Sequence, residues 1–174
     1  YILDIGTGYG ETSVFLANQF LDKVIISCEK YIDGNITLLK NIEKNEIKNI
    51  LLHNGNAYDV LECAHRECFD LVWIFFPDPW PKNRHAKRRL ITSDFLKKLH
   101  NTLKENSEIH IATDSTIYVR FILKQIYNCK DYFVWLNQSK MNLHIKDYFH
   151  IETKYYKKAI NSQRKPSLFI LRKL

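Results

Sequence analysis

Cysteine, glycine, proline and long apolar runs are all scarce in this chain of 174 residues. The longest apolar run, residues 71–77, is much too short to cross a bilayer, and no signal-peptide pattern opens the sequence. The four cysteines include no CxxC pair, and a chain of this length does not need disulfides as staples. We therefore expect a cytoplasmic, reduced protein with no membrane association.

The sequence has one methionine and does not begin with it. It opens at Tyr1, already inside a strand pattern, so we expect a native N-terminal extension to be missing. The length suits a single domain over residues 1–174.

A metal site has weak support. Cys63, His65 and Cys68 lie close together, but their spacing fits no common zinc pattern and a fourth ligand is lacking. Ordinary buried thiols are the simpler interpretation, and we expect no metal.

The charge is divided unevenly along the chain. Residues 1–76 carry 6 Lys and Arg against 11 Asp and Glu, whereas residues 77–174 carry 20 against 8. The net charges are therefore −5 and +12, which agree with the total of +7. A polyanionic partner bound by the second half explains this division. The alternative is that lysines simply solvate helix faces.

Strand and helix patterns alternate, which predicts an α/β fold with a doubly wound, mostly parallel sheet of seven strands and helices on both faces. Residues 137–165 show weak periodicity and are predicted to be an irregular excursion. Helices are predicted near residues 11–20, 33–45 and 115–127, with another one capped by Ser93. The predicted strands are residues 1–5, 23–28, 50–53, 71–76, 109–113, 132–136 and 168–171.

The few glycines and prolines are concentrated in two places. Each cluster directly follows a predicted strand, where ligands bind in open α/β sheets. Three of the five glycines and three of the four prolines are in these clusters, namely Gly6, Gly8 and Gly10, and Pro77, Pro79 and Pro81.

The glycine cluster reads as a strand followed by a GxGxG turn. A dinucleotide fingerprint needs glycine where this chain has Glu11. A carboxylate there competes with phosphate for the positive end of a helix, which favours a nucleoside cofactor without pyrophosphate. Glu29 ends the next strand and can accept hydrogen bonds from ribose hydroxyls. Its alternative is an exposed charge at a strand end.

Together the turn and the acid are similar to those of class I methyltransferases. That likeness implies a Rossmann-like fold that binds S-adenosylmethionine. Asp4 would lie near the cationic methionine end of the cofactor, and Asn56, after the third strand, near its adenine.

The proline cluster surrounds a single carboxylate, Asp78, with Phe76 and Trp80 as flat neighbours. A stiff loop of this kind suits a planar base held beside a sulfonium methyl group. The alternative is a proline-rich turn with hydrophobic packing. Six basic or potentially basic residues follow within residues 82–89 and favour phosphate contacts, unless they form only a solvated loop.

The stretch FFPDPWPKNRHAKRR, residues 75–89, resembles the signature of the bacterial tRNA (guanine-N7-)-methyltransferase family. The resemblance extends over nearly the whole chain through DIGTGYG, SCEK, the Asn-Ala pair at Asn56, ATD and TKYY. It implies an enzyme that methylates N7 of the variable-loop guanosine of tRNA, position 46 in tRNA numbering. We expect a monomer or homodimer.

The resemblance also implies residue roles. Asp78 would be catalytic and would stabilise the positive charge that the purine acquires with the methyl group. The cofactor would be bound by Asp4, Gly6, Gly8, Gly10, Glu29, Asn56 and Asp78. The target guanosine would be bound by Lys82, Asp114, Thr153, Lys154, Tyr155 and Tyr156. Separately, the basic run itself predicts that tRNA affinity comes from Lys82, Arg84, Lys87, Arg88 and Arg89.

Three residues depart from the family pattern, which usually has Glu for Asp4, Asp for Asn56 and Glu for Tyr156. Two rival functions keep the same scaffold, namely a nucleic-acid methyltransferase with another target and a non-catalytic RNA-binding module. A small-molecule methyltransferase is a third alternative, which the basic second half disfavours.

Overall fold

Seven strands and six α-helices alternate in the computed structural model, which describes residues 1–138 and 153–174. The strands are β1 (Ile2–Ile5), β2 (Ile25–Glu29), β3 (Ile50–Asn54), β4 (Phe69–Phe75), β5 (Leu103–Thr113), β6 (Phe133–Trp135) and β7 (Ser167–Lys173). The helices are α1 (Glu11–Gln19), α2 (Ile32–Lys44), α3 (Ala57–Cys63), α4 (Ser93–Thr102), α5 (Thr116–Asn128) and α6 (Lys154–Asn161), with a 3₁₀ helix at Asn83–Arg88.

The strands form one sheet in the order β3-β2-β1-β4-β5-β7-β6. The first five are parallel, and β7 runs antiparallel to both β5 and β6. The predicted Rossmann-like, mostly parallel sheet of seven strands is therefore confirmed. From β1 the chain continues to β2, towards one edge of the sheet, and from β4 it continues to β5, towards the opposite edge. The neighbouring carboxyl ends of β1 and β4 therefore form the switch point at which such sheets bind ligands.

The central strands are apolar because helices cover both faces of the sheet. All four residues of β1 are buried, and two clusters of apolar side chains fill the space on either side of the sheet. One cluster centres on Trp73, whose ring stacks on Phe75 at 4.3 Å between centroids. This packing fixes the carboxyl ends of β1 and β4 rigidly beside each other, with Ile5 opposite Ile74.

Several local features differ from the prediction. Thr92 rather than Ser93 caps α4, because the Thr92 hydroxyl accepts from the Phe95 amide while Ser93 bonds to Gln125. Within the segment expected to be irregular, residues 154–161 form α6, and residues 139–152 lie outside the described part of the chain. Helix α3 was also not predicted, although Asn56 caps it in a capping box with Asp59.

Within residues 1–138 and 153–174, no helix has the length and apolarity that a membrane crossing requires. The same residues contain no group of three His, Cys, Asp or Glu side chains placed to hold a metal ion.

Candidate active site

A cavity of about 960 Å³ opens at the carboxyl ends of β1, β2 and β4. Five separate parts of the chain form its walls: the glycine turn, the end of β2, the start of α3, the proline loop with the basic run, and α6. Among the predicted site residues, those that line it are Gly6, Gly8, Glu29, Asn56, Asp78, Lys87, Arg88, Arg89 and Tyr155.

The glycine turn bends in the left-handed region of backbone space, with φ values of 73° at Gly6, 56° at Gly8 and 83° at Gly10. Glycine adopts these angles without steric cost. Gly10 does not line the cavity; it is the N-cap of α1 and lies so close to Leu38 that a Cβ atom on it would be 2.5 Å from the Leu38 side chain. The sequence interpretation missed Gly34 of α2, where a Cβ atom would be 2.1 Å from the Gly8 carbonyl oxygen.

Asp4 lies beneath the turn and does not line the cavity. It is 1% exposed, and its Oδ2 atom accepts hydrogen bonds of 2.6 Å from the hydroxyls of Thr12 and Ser13. Burial raises the pKa of Asp4 to about 6, although the two hydroxyls oppose this by stabilising the charged form. The structure therefore shows a tightly held carboxylate whose protonation responds to nearby charge.

Glu29 lies at the cavity wall with both carboxylate oxygens oriented by backbone amides. Its Oε2 atom accepts from the Gly8 amide and its Oε1 atom from the Tyr31 amide, each at 2.9 Å. Each oxygen keeps a further lone pair for a hydroxyl donor. The glycine turn and Glu29 thus form one continuous polar surface.

Asn56 also lines the cavity, and its side chain is engaged at the start of α3. Its Oδ1 atom accepts from the Tyr58 and Asp59 amides, and its Nδ2 group donates to both Asp59 carboxylate oxygens at 2.8 and 2.9 Å. An aspartate at this position would face the Asp59 carboxylate with like charge. The neutral amide of Asn56 therefore avoids a like-charge contact with Asp59.

The proline loop between Phe76 and Trp80 is strained at both ends. Phe76 and Trp80 have φ values of 54° and 40°, which side chains other than glycine rarely adopt. The Phe76 amide donates to the Ala112 carbonyl at 2.8 Å and fixes the first end. Asp78 projects exposed between the two ends and lines the cavity.

Arg89 fixes the second end of the proline loop. Its Nε and Nη2 groups donate to the carbonyls of Pro79 and Trp80 at 2.9 and 3.0 Å, and it is only 7% exposed. The guanidinium lies 4.7 Å from the Phe121 ring centroid. These contacts differ from the expected phosphate contact, because the donors of Arg89 are directed into the protein.

The rest of the basic run is presented by the 3₁₀ helix. The Arg88 guanidinium lies 4.9 Å from the Trp80 ring centroid and lines the cavity with Lys87. Lys82 and Arg84 are exposed and lie outside the cavity wall. The structure thus separates Arg89, which holds the loop, from four cations that face solvent or the cavity mouth.

The late motif is also divided. Tyr155 lines the cavity, with its ring 6.5 Å from that of Phe76. Thr153 is buried and caps α6, and Tyr156 packs against the apolar cluster around Trp73. Asp114 pairs with Arg164 at 3.2 Å. None of these three residues lines the cavity as the structure describes it.

The chain resembles known methyltransferases in sequence. The family model described as a putative methyltransferase matches residues 1–167. A tRNA (guanine-N(7)-)-methyltransferase from Zymomonas mobilis is 36% identical over 156 residues, which are 90% of this chain and 67% of the relative. Another from Wolbachia pipientis is 35% identical over 169 residues, covering 96% and 72% of the two chains.

Solved structures resemble the fold at lower identity. The tRNA (m1A58) methyltransferase of Aquifex aeolicus has a TM-score of 0.64 and 20% identity over 99% of this chain and 62% of its own. A putative methyltransferase from Streptococcus mutans, solved in complex with SAH, has a TM-score of 0.62 and 13% identity over 99% and 88%. Both likenesses support the fold.

Proposed function

This chain belongs to the tRNA (guanine-N(7)-)-methyltransferase family, and from that premise we propose that it transfers a methyl group from S-adenosylmethionine to N7 of a guanosine in tRNA. The observation that carries the proposal is the position of Asp78. Its carboxylate projects from a stiff, strained loop into the same cavity that the glycine turn and Glu29 line.

The cavity suits the cofactor in size and in polarity. A volume of about 960 Å³ lies within the range of pockets that hold cofactors. Glu29 presents two oriented oxygens for the ribose hydroxyls, and the left-handed turn at Gly6 and Gly8 lets backbone approach the ligand closely. Asn56 lies near the adenine in this proposal, and Asp4 supports the methionine end from below.

S-adenosylmethionine supplies an electrophilic methyl group on a sulfonium. Guanine N7 has a lone pair and no proton, so its reaction requires alignment more than a general base. Phe76, Trp80 and Tyr155 give the cavity flat aromatic surfaces that suit a purine. Asp78 stabilises the positive charge that develops on the purine, as a fixed electrostatic group.

The exposed cations of the basic run bind the phosphates of tRNA in this proposal. Lys82 and Arg84 extend the positive surface outward from Lys87 and Arg88 at the cavity mouth. In this proposal residues 1–174 form one domain, and the protein is a monomer or a homodimer. It acts in the cytoplasm.

The decisive test is a methyl-transfer assay with bulk tRNA and S-adenosylmethionine, followed by digestion and mass spectrometry of the nucleosides. We expect 7-methylguanosine. A matched transcript in which adenosine replaces guanosine 46 should lose the product. A different methylated nucleoside would overturn the target, and cofactor binding without any methylated product would instead favour the RNA-binding module.

A further inference from the structure

Within residues 1–138 and 153–174, helix α6 makes few apolar contacts. Ala159 is the one residue of this eight-residue helix that is fully buried, and Tyr156 is half-buried. A helix this short is not stable on its own in water. The polar contacts at its two ends therefore contribute to holding it in position. Just beyond the C-terminal end, Arg164 pairs with Asp114 at 3.2 Å.

The N-terminal end of α6 is fixed by a residue 143 positions away in sequence. The Lys154 amide donates to Oε2 of Glu11 at 2.8 Å. The Tyr156 amide donates to the Thr153 hydroxyl oxygen at 3.0 Å. Two of the amides that a helix start leaves without intrahelical partners are thus satisfied, one locally and one by a distant carboxylate.

Glu11 is at the same time the first residue of α1. Its carboxylate therefore lies at the positive ends of two helices, and both dipoles favour a negative charge there. The side chain of Lys154 makes a second contact with the glycine turn, because its Nζ atom lies 4.2 Å from the Tyr9 ring centroid. These contacts join the start of α6 to the residues on both sides of Gly10.

The junction fixes the residue that follows Lys154. A Cβ atom on Gly8 would be 3.3 Å from Cε2 of Tyr155, and the Tyr155 ring lies 22° from parallel to that of Phe76. Tyr155 therefore spans the gap between the glycine turn and the proline loop at the cavity wall.

We propose that Glu11 is a positioning residue that caps α6 and thereby holds Tyr155 in place for the target base. This proposal rests on the proposed function for the role of Tyr155. Glu11 is absent from the described residues that line the cavity. Its effect on the reaction therefore passes through α6 rather than through contact with the cofactor.

The first test measures hydrogen exchange of the α6 amides without any substrate. Glu11→Ala should accelerate exchange about five- to ten-fold, the loss expected for a helix cap. Glu11→Gln should accelerate exchange much less than Glu11→Ala, because the amide oxygen still accepts the hydrogen bond and only the charge at the helix ends is lost. Asp94→Ala is the matched control, since Asp94 lies in the first turn of the remote helix α4 and should leave α6 unchanged.

The second test is a double-mutant cycle on kcat/KM for tRNA. Glu11→Ala should lower it about five- to ten-fold in the wild-type background, in line with the lost cap, and have little effect when Tyr155→Ala is already present. Glu11→Gln should restore most of the activity, and the affinity for S-adenosylmethionine should stay within about two-fold in both Glu11 variants.

The outcomes separate this proposal from the proposed function. Unchanged exchange in Glu11→Ala would overturn the capping role whatever the enzyme does. Additive losses in the cycle, or weakened cofactor binding, would overturn the route through Tyr155. If the wild-type protein made no 7-methylguanosine, the proposed function would fail while the exchange result still decided the cap.

Discussion

The glycine turn and the proline loop lie side by side at the switch point of the sheet, and both need left-handed backbone. In the turn, glycine occupies each left-handed position, and glycine adopts these angles without steric cost, so the turn can form without support from the rest of the protein. The loop places Phe76 and Trp80 there, each at a cost of about 1–3 kcal/mol, and depends on Arg89 and the Ala112 carbonyl to hold it. One side of the site is therefore formed locally, and the other is imposed by the surrounding fold.

The largest expected effect tests whether methyl transfer depends on the proline loop. Asp78→Asn keeps the size of the side chain and removes the charge that we assign to the transition state. We expect kcat to fall about 10²- to 10³-fold, as for the loss of one preorganised electrostatic group, with cofactor affinity within about two-fold. Near-normal turnover, measured as 7-methylguanosine formed per minute, would reject the role of Asp78.

The next effect concerns Asp4, beneath the turn. Its pKa is raised from 3.8 to about 6 in the folded protein, so the folded state binds a proton more tightly than the unfolded state does. The contribution of Asp4 to stability is therefore greatest below about pH 4, and it falls by about 3 kcal/mol as the pH rises through 6. Urea unfolding of the wild type and of Asp4→Asn across this range isolates the contribution, because the difference in unfolding free energy between the two proteins should change by this amount.

A cationic ligand above Asp4 would favour its charged form. Cofactor affinity should therefore rise between pH 5 and 7 in the wild type, by less than about ten-fold, and not in Asp4→Asn. The same pH response in both proteins would show that Asp4 does not sense the ligand.

Gly34→Ala tests how closely α2 packs against the glycine turn. The new Cβ atom would be 2.1 Å from the Gly8 carbonyl oxygen, which belongs to backbone and cannot move aside easily. We expect about 1–3 kcal/mol of destabilisation and weaker cofactor binding. Gly6→Ala is the control, because no atom lies within 4 Å of a Cβ there and only the strained φ of 73° remains. Equal losses in the two variants would contradict the close approach of α2.

The smallest effect tests whether Arg89 holds the proline loop in place rather than binding tRNA phosphates. Arg89→Lys keeps the charge but loses the paired hydrogen bonds to Pro79 and Trp80, so kcat should fall about ten-fold at unchanged salt dependence of tRNA affinity. Lys87→Ala is the contrast, and it should lower the salt slope by about 0.7–0.9 at nearly constant kcat. Arg89→Ala removes the charge as well and should still leave the salt slope unchanged, whereas a slope lowered as in Lys87→Ala would return Arg89 to the phosphate contacts.

The same contrast explains what the sequence could and could not predict. Repeating apolar segments and the GxGxG turn are local patterns, so the parallel sheet and the position of the cavity were predictable. The roles of Gly34, Arg89 and Glu11 depend on partners brought together by folding, which no local pattern records. Helix α3 is an intermediate case, because its Asn-x-x-Asp capping box is a local pattern but its seven residues are too few for a clear helical period.

The central claim, methylation at guanine N7, has a direct chemical test. In a tRNA transcript made with 7-deazaguanosine, carbon and hydrogen replace N7 and no lone pair remains to accept the methyl group. With radiolabelled S-adenosylmethionine, we expect label in the guanosine transcript and none in the 7-deaza transcript, at equal binding of both RNAs. Label transferred equally to the 7-deaza transcript would contradict the proposed reaction.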